Sequence, residues 1–233
     1  MMHLISLIDW NSESILDLIS CAAKIKKNPE NYSDSLKNKT MLMIFEKPSL
    51  RTRVSFEVGM TQLGNHAIFM ETKDTPLGEK ESIADTAKAS SRYCDIIMAR
   101  LFKQEDIEEL ANNATVPVIN GLTDIFHPCQ ILSDLLTIYE KKKKLSGLKL
   151  CFVGDGNNNI AHSLLLGCSA VGMDISVGCP KGHIPQAWIV KIAEKNSKKS
   201  GCKVEILNDA KKAALNADMV YTDSWMSYHI PKE

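Results

Sequence analysis

The chain lacks a net charge: its 233 residues hold 28 Lys or Arg against 28 Asp or Glu. Proteins that attract nucleic acid or an anionic membrane surface over long range need an excess of Lys and Arg. This balance excludes both as bulk partners and leaves room only for a local anionic site. Long apolar runs are missing too, since no window approaches the ~18 uninterrupted residues of a membrane helix. The apolar start, Met1 to Trp10, has no basic leader and is broken by Asp9, so no secretory signal is expected. With 12 glycines and 8 prolines the sequence falls far below the roughly 25–30% that marks low complexity. Cys-x-x-Cys pairs are absent, and the seven cysteines are odd in number and scattered at 21, 94, 129, 151, 168, 179 and 202. They are expected to be small buried hydrophobes of a reducing, cytoplasmic compartment, not disulfides or zinc ligands. No metal site is expected.

What is present is ordinary globular material, 44% hydrophobic and 24% charged, enough for one large domain or two small ones. Apolar residues Ile15, Leu18, Ile19, Ala22 and Ile25 recur at helical spacing from Asn11 to Lys27. Strands are then expected at Thr40–Phe45, Ala67–Met70, Ile96–Ala99 and Val116–Ile119. Helices are expected between them, over residues 52–63, 82–92 and 105–114. A longer helix opens at His127-Pro128 and runs to about Lys144, its Lys141–Lys144 end complementing the helix dipole. After Ser146-Gly147 the alternation resumes, with strands at Leu148–Val153, Asp174–Val177, Lys203–Leu207 and Met219–Thr222. Strand–helix alternation of this kind gives parallel sheets covered on both faces. The expected fold is therefore α/β, with two doubly wound parallel-sheet domains. Residues 1–133 form the first, 134–147 a connecting helix, and 148–233 a second domain that stops half finished.

Three clusters carry chemistry. The first, Lys47-Pro48-Ser49-Leu50-Arg51-Thr52-Arg53, sits where a strand turns into a helix. A helix N-terminus offers unpaired N–H groups and a positive dipole end. Two hydroxyls and two guanidinium groups beside it favour a phosphate ligand over a plain Ser cap. The second, Gly121 to Gln130, follows a strand and so lies at the sheet edge where ligands of open α/β folds bind. His127 and Gln130 can donate there to a carbonyl oxygen, and Arg100, closing another strand, is expected to reach the same edge. The third, Val153-Gly154-Asp155-Gly156-Asn157-Asn158-Asn159, imitates a dinucleotide fingerprint. Its third glycine is missing, and the next strand ends in Val177-Gly178-Cys179 with no acid for a ribose hydroxyl. The asparagines can instead bind the carboxylate of a zwitterion, or simply form a turn. Asp223 and Ser227 can bind an ammonium group, although an Asp after a strand also serves as a helix cap.

These residues resemble the motifs of the carbamoyltransferase family, and within it of the ornithine carbamoyltransferases, over the whole chain. The motifs are Phe-Glu-Lys-Pro-Ser-x-Arg-Thr-Arg, Asn-Gly-Leu-Thr-Asp, His-Pro-Cys-Gln and Gly-Asp-Gly-Asn-Asn-Asn. The resemblance implies a first domain for carbamoyl phosphate and a second for ornithine. It implies that Ser49, Leu50 (through its N–H), Arg51 and Thr52 hold the phosphate, and that Arg100, His127 and Gln130 address the carbamoyl group. Arg100 and His127 would be the catalytic pair. Asn158 or Asn159, Asp223, Ser227 and Tyr228 would bind ornithine. No metal or organic cofactor is implied. A homotrimer is, because the family's loop near Thr75–Lys80 reaches a neighbouring subunit.

This chain departs from the family in having Leu50 where a threonine is usual, and Ser227-Tyr228-His229 where Ser-Met-Gly is usual. The family's His-Cys-Leu-Pro motif and C-terminal helix have no counterpart before Glu233. Three alternatives stay open: carbamoyl transfer to another amine such as putrescine, a remnant that binds phosphate without turnover, and an NAD-dependent oxidoreductase built on Gly154-x-Gly156.

Overall fold

The computed structural model describes residues 2–72, 78 and 81–223. The chain divides into two compact units, one of Met1–Ile5 with Ala22–Asp124, the other of Ser6–Cys21 with Ile125–Glu233. Both are doubly wound, and every strand pair in both sheets is parallel.

The first unit contains β1 (Thr40–Phe45), α2 (Leu50–Gln62), β2 (His66–Glu71), α3 (Ile83–Ser90), β3 (Ile96–Arg100), α4 (Gln104–Asn113) and β4 (Val118–Leu122). α1 (Ser12–Lys27) precedes them. The strands lie in the order β2-β1-β3-β4. The inner strands β1 and β3 read as near-continuous apolar runs because both of their faces are covered. On one face Ile44, Ile97 and Ala99 pack with Ala87 of α3 and Ile107 and Leu110 of α4. On the other, Met41, Met43, Phe45 and Met98 meet Met60 of α2. Methionine suits this second face, since its unbranched thioether fills irregular gaps.

β4 runs further than its sequence suggests. Asn120, Gly121 and Leu122 belong to the strand and not to the loop after it. The N-terminal segment explains the difference. Leu4 forms a parallel bridge with Ile119, its N–H bonds the Val118 carbonyl, and its carbonyl accepts from Asn120 N–H. The fully buried Asn120 also donates its Nδ2 to the Ile5 carbonyl at 2.9 Å. A polar residue is thus extended in the sheet because the bridging N-terminal segment satisfies it.

The second unit holds α5 (Pro128–Lys142), β5 (Lys149–Val153), α6 (Asn159–Ala170), β6 (Asp174–Gly178), α7 (Ala187–Ser200), β7 (Val204–Leu207), α8 (Ala210–Ala214) and β8 (Met219–Tyr221). Its strand order is β7-β6-β5-β8. All twelve residues of α6 are buried, and its polar members are hydrogen-bonded there: Ser163 Oγ donates to the Asn159 carbonyl at 2.7 Å and Ser169 Oγ to the Leu165 carbonyl at 2.6 Å. α5 ends with Lys143 in the left-handed conformation after two lysines in its last turn. Among the described residues no helix is long and apolar enough to cross a membrane.

Strand order decides where ligands go. In the first sheet the chain leaves β1 toward β2 and then crosses back to β3, so the winding reverses between β1 and β3. In the second it reverses between β5 and β8. The crevice beyond the carboxyl ends of two such strands is the binding position in open α/β sheets.

Candidate functional site

In the first unit the reversal point holds the turn from β1 into α2 and the end of β3. Ser49 caps α2 in an extended conformation, and its Oγ accepts from Thr52 N–H at 3.4 Å. The same hydroxyl donates to Thr52 Oγ1 at 3.0 Å, and Arg100 Nη1 donates to Thr52 Oγ1 at 3.4 Å. With its oxygen accepting twice, the Thr52 hydroxyl still has its hydrogen to donate. The N–H groups of Leu50 and Arg51, in the first turn, have no acceptor within the helix. Hydroxyl, amide and guanidinium donors therefore collect at one end of one helix, and nothing in the set carries negative charge. Arg51 is exposed on this turn, and the Leu50 side chain is 80% exposed.

Arg53 leaves the group. Its guanidinium lies 3.7 Å from the centre of the Phe69 ring and pairs with Glu57 at 3.2 Å. Two residues that sequence reasoning quoted but gave no role stand closer. Burial, and then the Arg100 cation nearby, pushes the Lys47 ammonium below its usual range. Glu46 ties the two strand ends together: its N–H bonds the Arg100 carbonyl at 3.0 Å and its carboxylate accepts from Phe102 N–H at 2.7 Å. Burial raises the Glu46 pKa. The only signal for either residue in the sequence is adjacency to the Ser49 turn.

Arg100 is 92% buried, a cation held in the fold by design of the sheet edge. The β3–β4 register slips between Ala99 and Arg100, which pairs with Leu122. Gly121 permits the slip, because a Cβ there would stand 3.5 Å from Arg100 Cβ and 2.8 Å from Met98 Sδ. Such an irregularity re-aims a side chain at a strand end. The following Thr123 and Asp124 are structural: Thr123 Oγ1 donates to Gln104 Oε1 at 2.7 Å, and Asp124 accepts from Gln104 N–H at 3.0 Å. Asp124 thus supplies the α4 cap that Lys103 at the N-cap position does not.

His127 and Gln130 belong to the second unit. His127 is the N-cap residue of α5, and its N–H bonds Ser163 Oγ on α6 at 2.9 Å. His162 reinforces this anchor. Its Nε2 accepts from Gln186 N–H at 3.3 Å, so Nδ1 carries the proton and donates to the Ile125 carbonyl at 3.2 Å. The buried helix α6 therefore positions the His127 segment. Gln130 Nε2 donates to Asp134 Oδ1 at 3.0 Å.

At the second reversal point, Asn158 caps α6. Its Oδ1 accepts from Ala161 N–H at 2.8 Å and its Nδ2 donates to the Asp155 carbonyl at 2.8 Å. Both ends of this amide are used by the loop, so Asn158 builds the turn, and Asn159, the first residue of α6, follows it into the helix. Asp223 is exposed just past β8, on the other side of the reversal. Ser227 and Tyr228, and the loop around Thr75–Lys80 apart from Gly78, lie outside the described residues. In the Gly154-x-Gly156 turn the second glycine lies against the His183–Pro185 segment. A Cβ on Gly156 would stand 2.7 Å from the His183 carbonyl oxygen and 2.9 Å from Pro185 Cδ, so this glycine serves close packing of the chain against itself.

The chain is similar to known proteins over nearly its whole length. The family described as aspartate/ornithine carbamoyltransferase, carbamoyl-P binding domain, matches residues 2–140, and its Asp/Orn binding domain matches residues 146–233. An ornithine carbamoyltransferase from Listeria innocua is 50% identical over 224 residues, spanning 96% of this chain and 71% of the relative. An anabolic ornithine carbamoyltransferase from Pyrococcus furiosus is 47% identical over 226 residues, again 96% of this chain and 71% of the relative. The solved structure of ornithine carbamoyltransferase from Pyrococcus furiosus superposes with a TM-score of 0.94 at 47% identity, covering 97% of this chain and 72% of that one.

Proposed function

The chain belongs to the aspartate/ornithine carbamoyltransferase family, and we propose that it transfers the carbamoyl group of carbamoyl phosphate to the side-chain amine of ornithine. The products are citrulline and phosphate. The observation that carries this reading is the hydrogen-bonded cluster of the Ser49 and Thr52 hydroxyls with the Arg100 guanidinium at the first reversal point. It is what a phosphate needs and what a carboxylate-rich or neutral site would not build.

In this reading the phosphate sits on the α2 N-terminus, bound by the Leu50 N–H, the Ser49 and Thr52 hydroxyls and Arg51. Arg100, His127 and Gln130 act on the carbamoyl group. The neutral amine attacks the carbonyl carbon and a C–N bond forms. Arg100 and His127 stabilise the oxyanion of the tetrahedral intermediate. The C–O bond to phosphate then breaks with its electron pair leaving on phosphate, which takes up the proton released by nitrogen. Holding both substrates in register supplies the orientation term. Asp223 takes the ammonium of ornithine; Asn159, Ser227 and Tyr228 complete that subsite. The name of the Pyrococcus furiosus relative, anabolic, supports flow toward citrulline in arginine biosynthesis.

The reading extends to assembly and compartment. Leu50, Val54 and Val58 form an exposed apolar stripe at four-residue spacing on α2, a surface that a second subunit in a homotrimer would cover. Light scattering of the purified full chain is expected to give three times the chain mass; a monomer at working concentration overturns the trimer. All seven cysteines are free, in keeping with a reducing cytoplasm. The activity is tested by supplying carbamoyl phosphate with L-ornithine or with putrescine and measuring ureido product. Citrulline formed much faster than carbamoylputrescine is expected. The reverse preference overturns the ornithine assignment, and no product from either amine overturns the transferase.

A further inference from the structure

We infer that Asp134 is the positioning residue that selects a carbamoyl group, by fixing which end of the Gln130 amide faces the substrate. This rests on the proposed transferase reading, in which Gln130 touches that group. Gln130 and Asp134 are four residues apart on α5 and so share one helix face. Their side chains meet at 3.0 Å, Gln130 Nε2 to Asp134 Oδ1. An ionised carboxylate only accepts hydrogen bonds, whereas a primary amide both donates and accepts. The pairing therefore draws the NH2 end of Gln130 inward and turns its Oε1 acceptor away.

That orientation has a chemical consequence. The carbamoyl group differs from an acetyl group of nearly the same shape in carrying NH2 where acetyl carries CH3. An outward Oε1 accepts from that NH2 and finds no partner in a methyl group. A flipped amide would instead offer its donors to the carbonyl oxygen, which both acyl groups share. Asp134 thus converts a side chain that could serve either acyl phosphate into one that discriminates between them.

The surroundings hold Asp134 to this task. Tyr221, the last residue of β8, faces the same carboxylate, and burial together with Asp134 pushes the tyrosine pKa well up. Burial, with the Asp223 charge nearby, raises the Asp134 pKa, and bonds from Gln130 and Tyr221 counter that rise.

The test compares binding of carbamoyl phosphate, acetyl phosphate and inorganic phosphate to the full chain by calorimetry. Asp134→Leu removes the acceptor at similar volume, and Asp134→Asn retains one acceptor oxygen as the conservative rescue. Asp134→Leu is expected to weaken carbamoyl phosphate about tenfold, the scale of one hydrogen bond. Its acetyl phosphate and inorganic phosphate affinities should stay at wild-type values, which also reports that the protein is folded. Asp134→Asn should restore carbamoyl phosphate affinity, and Asp134→Leu should add nothing in a Gln130→Ala background. Equal losses for all three anions, or losses that add to Gln130→Ala, make Asp134 a purely structural residue and overturn the inference. So does an Asp134→Leu protein that binds as wild type does. A wild-type protein with no affinity for carbamoyl phosphate overturns the transferase reading and this inference with it.

Discussion

Thr52 and His127 have different work in this account, and substitution separates them. Thr52 Oγ1 accepts from Ser49 and Arg100, which leaves its own hydrogen to donate to a ligand. Thr52→Val keeps the shape and removes that donor, so phosphate affinity is expected to fall by about 1 kcal/mol or somewhat more. His127 is fixed through its backbone to Ser163; if it acts on the carbonyl as proposed, His127→Ala is expected to lower kcat by at least about a hundredfold with a smaller change in phosphate affinity. Calorimetry and steady-state rates on both proteins check this, and the opposite pattern would exchange the two roles. The Ser49 cap and the Arg100 strand end were legible in the sequence, because a strand-to-helix turn announces its own donors. The fate of Arg53 was not. Guanidinium groups two residues apart on a helix point to different faces, and only the presence of Phe69 on the neighbouring strand shows that one of them stacks on a ring. The likeness of Asn158 and Asn159 hid a similar split, since a run of asparagines does not say which one the helix will take as its cap.

Elements position these residues, and their stability can be tested directly. Asn158 satisfies the α6 terminus and the Asp155 carbonyl at once. Asn158→Ala is expected to destabilise the fold by about 1 kcal/mol, the usual worth of a cap, read as a lower urea midpoint; an unchanged midpoint removes the cap from the account. The N-terminal segment carries a pH dependence. His3 Nδ1 accepts from Val118 N–H at 3.1 Å, which requires the neutral ring, and burial holds its pKa below the ordinary 6.5. A depressed pKa contributes stability that is full above pH 6.5 and is lost as pH falls through the lower folded-state value. Protection of the Val118 amide from hydrogen exchange, corrected for intrinsic rate, should therefore drop on acidification. Equal protection on both sides contradicts the role of His3. Apolar period made most of these elements readable, β1 to its exact ends, from Thr40 to Phe45. It failed at β4, where Asn120 and Gly121 look like a turn until the strand beside them is known.

The molecule as a whole is two doubly wound units with a reversal point in each, and this is why its chemistry gathers where it does. Local pattern revealed the alternation of strands and helices, but not the order of strands across a sheet, because parallel neighbours are chosen by packing between distant segments. The orders β2-β1-β3-β4 and β7-β6-β5-β8 bring the Ser49 turn to Arg100 and the Asn158 turn to Asp223. Neither pairing follows from spacing along the chain. Neutral overall charge fits the same picture: a small dianionic substrate needs a local cradle, not a basic surface. The central claim is that the cradle at the start of α2 holds carbamoyl phosphate. Its most direct test is an amide chemical-shift titration of 15N-labelled protein with carbamoyl phosphate. Saturable shifts concentrated at the Leu50, Arg51 and Thr52 amides and at the Arg100 guanidinium are predicted. Saturable binding that leaves those four signals in place and moves amides elsewhere would contradict it.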